Sequence, residues 1–342
     1  MANDASTDRT ASILDLWQQR EGLQVIHLRV NAKKEGAILA AMEHLAARNE
    51  LSKYTVLLDA DTRLQTNSDG SSVCCQLCGA IGYLERNRLG ALALRVNASY
   101  FSKPTVYWMS AYSTYFGLQF DAWLLSLEGR LWVINGAGGL FQSEQLLSIL
   151  RRIKFNFETG DLQITVELMK AGQRLSLYDD IVGLTYVPET FGELFNQRRR
   201  WERGTMKVLW EERRFYGNLF LPPSLLCLAM VLHMVLYVGL LAMGIAYLFG
   251  DLMPRGVLVS VLTSYAIWFC IDVVKAAWVV YRRERHRFPL FVMCALVNAP
   301  VWVAVITPAR LVGGAEAVWH LLKAGWRGRL GWPCARNRRQ CP

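Results

Sequence analysis

Two patterns of hydrophobic and polar positions divide this chain. Up to about residue 215, short apolar runs alternate with segments of helical periodicity; from Leu219 to Val312 the chain is almost continuously apolar. In the first part, "GLQVIHLRV" (Gly22–Val30) predicts a strand, and "KKEGAILAAMEHLAARN" then spaces its apolar residues as a helix does. "KYTVLLDADTRL" predicts a buried strand running into an acidic turn, "LGALALRV" another strand, and Tyr107 to Leu127 a helix. "GDLQITVELMKAG" is amphipathic with Gly172 in a stop position. "QRLSLYDD" and "IVGLTYV" predict two strands, and "PETFGELFNQRRRW" a helix with Pro188 near its start. Strands alternating with helices imply an α/β domain with a mostly parallel sheet. In such sheets ligands bind beyond the carboxyl ends of the strands, which is where Asp59 and Asp61 fall, with Asp4 placed alongside them by a strand before Asn3.

The second part contains three apolar segments, residues 219–249, 256–281 and 288–312. Each is long enough to be read as a membrane span. The basic connector "RRERHRF" predicts a cytoplasmic loop, so that the first two segments form a hairpin. The third is interrupted by Pro300 and Pro308; a full crossing would leave the basic tail outside, whereas a re-entrant or tilted segment would not. Asp272 and Lys275, three apart, share a helical face and read either as an internal ion pair or as functional charges. The expected organisation is a cytoplasmic domain over residues 1–200, an interfacial amphipathic helix at 201–218, about three membrane helices at 219–313 and a basic tail at 314–342.

Composition sharpens this division. Of 342 residues 53% are hydrophobic, high for a purely soluble enzyme. The net charge is +10, and the arginines gather at Arg198 to Arg214, at Arg282 to Arg287 and near the C-terminus, all bordering apolar segments. They form no stripe interleaved with exposed aromatics, which argues against nucleic acid and for a membrane surface together with a phosphorylated substrate. Of eight cysteines the tightest group is Cys74, Cys75 and Cys78. A zinc site would need a second pair at suitable spacing, and reduced thiols are the plainer reading.

The candidate chemistry lies at four places. Asp59 and Asp61, two apart where a strand ends, can direct oxygen ligands at one hard cation shared with a diphosphate; a solvated acidic turn has the same pattern. Asp161 in "TGDLQIT" stands at a helix start, as a base or as an N-cap. Gln197, Arg200 and Trp201 form a Gln-x-x-Arg-Trp pattern, which also suits a basic helix on a membrane. Lys34 in "NAKKEGA" lies beside a tight turn. Asp179 and Asp180 read as turn residues.

In this order and spacing the chain resembles the family 2 glycosyltransferases, in particular the processive membrane polysaccharide synthases. "NDASTDRT" is similar to the family's nucleotide motif, "NAKKEGA" to its Lys-x-Gly-Ala element, "DADTRL" to its metal motif, "INGAGGLFQSE" to its Gly-rich acceptor segment, "TGDLQIT" to its Thr-Glu-Asp and "QRRRW" to its Gln-x-x-Arg-Trp signature. The resemblance implies a GT-A-type nucleotide-sugar domain followed by an α-helical membrane region. It implies that Asp4 contacts uridine with help from Lys34, that Asp59 contacts the nucleotide sugar and that Asp61 binds Mg²⁺ or Mn²⁺. It makes Asp161 the general base of an inverting transfer and Arg200 a partner of the departing UDP, with Gln197, Trp201 and Gly138 on the substrate side. The implied partners are a UDP-sugar (UDP-GlcNAc favoured), a growing β-linked polysaccharide, membrane lipids and accessory synthase or export subunits. The implied location is the plasma (inner) membrane, multi-pass, with the catalytic domain cytoplasmic.

Two departures stand out. The acidic neighbour of the base is Gly160 here, and the chain starts after the first strand and helix of the family pattern, as a truncated gene product would. The alternatives to a polysaccharide synthase are an inactive subunit or fragment of one, and a non-processive transferase acting on a lipid carrier.

Overall fold

A computed structural model describes residues 1–65, 72–99, 104–153, 158–218 and 255–329, with isolated positions at 224, 228, 232, 235 and 239. The strands are β1 (Ala2–Asn3), β2 (Ile26–His27), β3 (Tyr54–Leu57), β4 (Thr62–Gln65), β5 (Ala91–Ser99), β6 (Gly139–Gln142) and β7 (Leu175–Tyr186). The helices are α1 (Thr10–Glu21), α2 (Lys33–Ala47), α3 (Val73–Arg86), α4 (Val106–Ser126), α5 (Ser143–Arg152), α6 (Gly160–Lys170), α7 (Phe191–Glu211), α8 (Arg213–Tyr216), α9 (Arg255–Arg283), α10 (Phe288–Val301) and α11 (Thr307–Arg329).

The α/β alternation is present, but the sheet is mixed rather than mostly parallel. The main sheet has the order β3-β6-β5-β7-β4, and only β5 and β7 run parallel within it; β1 and β2 form a separate parallel pair. Apolar periodicity marks where strands lie and is blind to their direction, which depends on partners far away in sequence. The two strands expected at 173–187 are one, β7, broken in register opposite Leu94 and Arg95. Asp179 and Asp180 therefore sit in a bulge of a strand, not in a turn, and Asp179 pairs with Arg283.

Alternation along β5 explains the layering. Ala91 and Ala93 enter a core built on Phe141, Leu146, Leu150, Leu162 and Val166, while Leu92 and Leu94 enter one with Ala80, Leu84 and Leu140. Both faces of the sheet are thus covered, and a strand covered on both faces reads as a continuous apolar run. A third cluster joins Trp108, Ala111 and Phe116 of α4 to Val279 and Val280 of α9 and Phe291 of α10.

Helix α7 begins at a capping box: the Thr190 hydroxyl accepts from Glu193 N at 3.3 Å, and Glu193 accepts from Thr190 N at 3.3 Å. It runs unbroken through residues 200 and 201 to Glu211. In the C-terminal part Lys275 pairs with Asp121 of α4 at 3.0 Å and with Asp272 at 2.9 Å, so these charges tie α9 to the α/β layer. Pro300 does not end the third apolar segment. The helix continues through a π-helical stretch at Trp302–Ile306, one way of accommodating a proline without its N–H. Among the described residues no helix is long and apolar enough to cross a membrane; residues 240–254 and most of 219–239 lie outside them.

Helix α11 crosses α7 where Gly313 meets the backbone of Arg199. A Cβ at 313 would approach the Arg199 carbonyl carbon at 3.1 Å and Cα at 3.2 Å. Gly313→Ala should therefore cost about 1–3 kcal/mol in strain, offset by about 1 kcal/mol of helix propensity. The expected result is a lower thermal midpoint; an unchanged or higher one would mean that this crossing does not hold the two helices.

Candidate active site

The acidic turn is placed by an odd feature of the topology. β3 and β4 lie at opposite edges of a five-stranded sheet, yet only residues 58–61 connect them. Edge strands of a flat five-stranded sheet would be about 19 Å apart, and five extended residue steps reach about 18 Å at most. The connection is not even extended, since Thr62 N donates to Asp59 O at 3.0 Å in a turn. The sheet must curl until its edges converge, and the convergence point carries Asp59 and Asp61. Asp61 is exposed and accepts from Thr185 Oγ1 of β7 at 3.3 Å; Asp59 is half-buried.

Lys34 joins this turn to the Gly-rich loop. Its ammonium pairs with Asp59 and donates to Gly136 O at 3.0 Å. The turn that launches α2 is closed by Asp4, whose Oδ1 accepts from Ala32 N at 2.6 Å. Ala5 and Lys33 flank this contact with φ of 54° and 62°. Two non-glycine residues in the left-handed region on either side of one carboxylate indicate backbone held against its preference. Asp4 and Lys34 thus come together through α2, as the sequence suggested, although β1 itself is only two residues long.

Asp161 is not an N-cap: the cap position of α6 is Thr159. Its Oδ1 accepts from Leu162 N at 2.8 Å and its Oδ2 from Gly136 N at 3.2 Å. Thr165 Oγ1 donates to Asp161 O at 2.7 Å and accepts from Ile134 N at 2.9 Å, fastening α6 to the loop at 134–136. Burial pushes the Asp161 carboxyl above the usual range, and the nearby Asp59 adds to this. The Lys34 charge and the two backbone N–H groups oppose it.

The Gly-rich loop divides its work. Gly136 faces Lys34 and Asp161, whereas Gly138 is buried against Leu94, where a Cβ would meet Leu94 Cβ at 3.1 Å. Gly138 thus serves close packing at this point rather than facing the base. On α7, Gln197 and Trp201 are half-buried and Arg200 is exposed.

The sequence pattern passed over Arg198. Only 7% exposed, its guanidinium stacks over Trp201 with 4.5 Å between charge and ring centroid. Nε and Nη2 have no hydrogen-bond partner among the described residues. Burial, reinforced by the like charge of Arg310 and opposed by Tyr115, lowers its pKa to about 10. The phenol of Tyr115 on α4 lies within electrostatic reach of Arg198, Asp61 and Asp59 together, and burial raises its pKa. Its signal in the sequence was weak, a polar aromatic inside an apolar helix. A cavity of about 240 Å³ opens beside it, walled by Tyr115, Trp132, Asn135, Trp302 and Arg310. Asn135 also lines the small cleft of Lys34, Gly136 and Asp161, so the two spaces share a wall at the base.

Residues 54–298 match the sequence profile of "Glycosyl transferase family group 2", and residues 1–69 match that of "Glycosyl transferase family 2". The chain belongs to glycosyl transferase family group 2. This glycosyltransferase is similar in sequence to no curated protein. Among solved structures it is similar to S. aureus TarS. One crystal structure aligns at 14% identity and TM-score 0.35, over 57% of this chain and 32% of that one. TarS 1–349 aligns at 12% identity and TM-score 0.38, over 91% and 81%. The same fragment in complex with UDP aligns at 12% identity and TM-score 0.35 over the same shares.

A divalent cation fits this glycosyltransferase in one way. Among the described residues no three His, Cys, Asp or Glu side chains cluster as metal ligands. Asp59 is already neutralised by Lys34, leaving Asp61 as the open carboxylate. One carboxylate plus diphosphate oxygens is a common way to hold Mg²⁺, so the residues fit an ion that arrives with its nucleotide.

Proposed function

We propose that this glycosyltransferase transfers a sugar from a UDP-sugar, UDP-GlcNAc by preference, to a hydroxyl of a growing β-linked polysaccharide at a membrane surface. The observation that supports it most is the convergence of Asp59, Lys34, Gly136 and Asp161, which come from four separate parts of the chain. The UDP held by one TarS structure agrees with such a donor. The apolar run at 219–249 and the basic clusters beside it support the membrane setting: a multi-pass protein of the plasma (inner) membrane with its catalytic part in the cytoplasm. The cavity walled by Trp132, Trp302 and Asn135 offers flat apolar faces and an amide beside the base, suited to an acceptor sugar.

The chemistry follows from the placement. Asp161 accepts the proton of the acceptor hydroxyl as that oxygen attacks the anomeric carbon. The bond from that carbon to the phosphate oxygen breaks on the opposite face, so the configuration inverts. The electron pair leaves with UDP, and Arg198 or Arg200 on α7 offsets the added charge. A cation on Asp61 and the diphosphate would supply further Lewis-acid stabilisation of the leaving group.

The test is UDP release by membranes holding the full chain, offered UDP-GlcNAc, UDP-glucose and UDP-GlcA, each with Mn²⁺, with Mg²⁺ and with a chelator. Turnover with one donor that the chelator abolishes is the expected result. Absence of turnover with all three donors would favour a subunit without activity of its own.

A further inference from the structure

Gly160 is the residue that sets this chain apart at its base, and the space it leaves is filled. A Cβ built on Gly160 would fall on the carboxyl group of Glu35, in the first turn of α2. Glu35 is only 7% exposed, lines the same small cleft as Lys34, Gly136 and Asp161, and holds its carboxyl near its own backbone N–H. From the other side, Gly204 of α7 admits Thr159, where a Cβ would meet Oγ1 and Cγ2 at 2.7 Å. The Thr159-Gly160-Asp161 segment is thus clamped between a carboxylate from α2 and a bare helix face of α7.

We propose that Glu35 is the positioning residue of the base. Its carboxyl, delivered from α2, takes up the volume beside Gly160, fixes the first turn of α6, and places a second acid next to Asp161. This rests on Asp161 acting as the base. The charged groups around the pair are Lys33 and Lys34 on α2, Asp161 on α6 and Asp59 in the acidic turn. Burial and the Asp161 charge raise the Glu35 carboxyl, and the two lysines oppose them. A negative Glu35 in turn raises the proton affinity of Asp161, which helps it take a proton from an alcohol. The arrangement also gives glycine at 160 a reason, because any larger side chain would displace Glu35.

Two measurements on the full chain test this. In the first, Glu35→Gln keeps the volume and removes the charge. With UDP-GlcNAc as donor, kcat should fall about tenfold or more while the donor KM stays within about twofold. The thermal midpoint should hold, and the acid limb of kcat/KM should move to lower pH. Wild-type kcat with an unmoved acid limb would overturn the proposal, as would a fall in kcat accompanied by lost stability and an unmoved limb. The second needs no substrate. Gly160→Ala should lower the thermal midpoint in the presence of Glu35 and not in a Glu35→Ala background. Equal effects in both backgrounds would overturn the interlock. Wild-type protein without turnover, yet with that coupling intact, would count against the proposed function alone.

Discussion

Asp161→Asn should lower kcat by about 10²–10⁴-fold, the usual contribution of a positioned base, with little change in the donor KM. Asparagine keeps the size of the side chain and one acceptor for the N–H groups of Leu162 and Gly136, but it cannot take a proton. Stability should respond in the opposite sense. Burial raises the folded-state pKa of Asp161 above its unfolded value. A carboxyl of that kind contributes stability below its unfolded pKa, and that contribution is lost as pH rises through the folded pKa. At neutral pH the buried charge is therefore a cost that asparagine removes, so the variant should melt no lower than the wild type. The same shift sets the pH profile: activity should fall, as pH is lowered, at values above the ordinary carboxylate range of about 4. UDP release across pH and thermal unfolding of the two proteins check all three statements. A variant that is inactive because it fails to fold would show itself in the second measurement.

Arg198→Ala is the next largest expected loss, about 10²-fold in kcat, comparable to removing one donor to a developing anion. Arg198 lies buried on Trp201, with Nε and Nη2 unpartnered among the described residues and Tyr115 between it and the acidic turn. A desolvated guanidinium in that state is poised for an anion, and a diphosphate suits its planar fork. Arg198→Lys should recover little, because an ammonium lacks the fork. Arg200 is exposed on α7, and Arg200→Ala should stay within about twofold, as surface substitutions generally do. Should Arg200→Ala cost more than Arg198→Ala, the diphosphate would have to lie on the other face of α7. Steady-state kinetics of the three variants with one donor decide between the faces.

Much of the site was legible because its residues are anchored to local signals. The Asp59–Asp61 turn follows an apolar run, Asp161 follows a residue that can cap a helix, and the Gln-x-x-Arg-Trp pattern sits in a helix opened by a capping box. Gly138 shows the limit of that approach. Its place in a Gly-rich stretch says only that backbone comes close to something, and here the something is Leu94 rather than the base. Arg198 was hidden because spacing alone does not say which of three consecutive arginines faces inward; burial beside Tyr115 from α4 decides it. Glu35 was hidden for a stronger reason. Its role depends on a glycine 125 positions away, and no pattern along the chain links the two.

By itself the sequence determined the family, the alternation of strands and helices and the identity of the acids, because periodicity, turns and short motifs are local properties. Only the tertiary structure decided the direction of the strands, the single bulged β7 with Asp179 bound to Arg283, and the curl that brings the two sheet edges to the acidic turn. It alone decided which arginine of α7 is buried and which carboxylate stands beside the base. Those outcomes depend on contacts between segments a hundred or more residues apart, where packing and desolvation, rather than local propensity, set the lowest free energy.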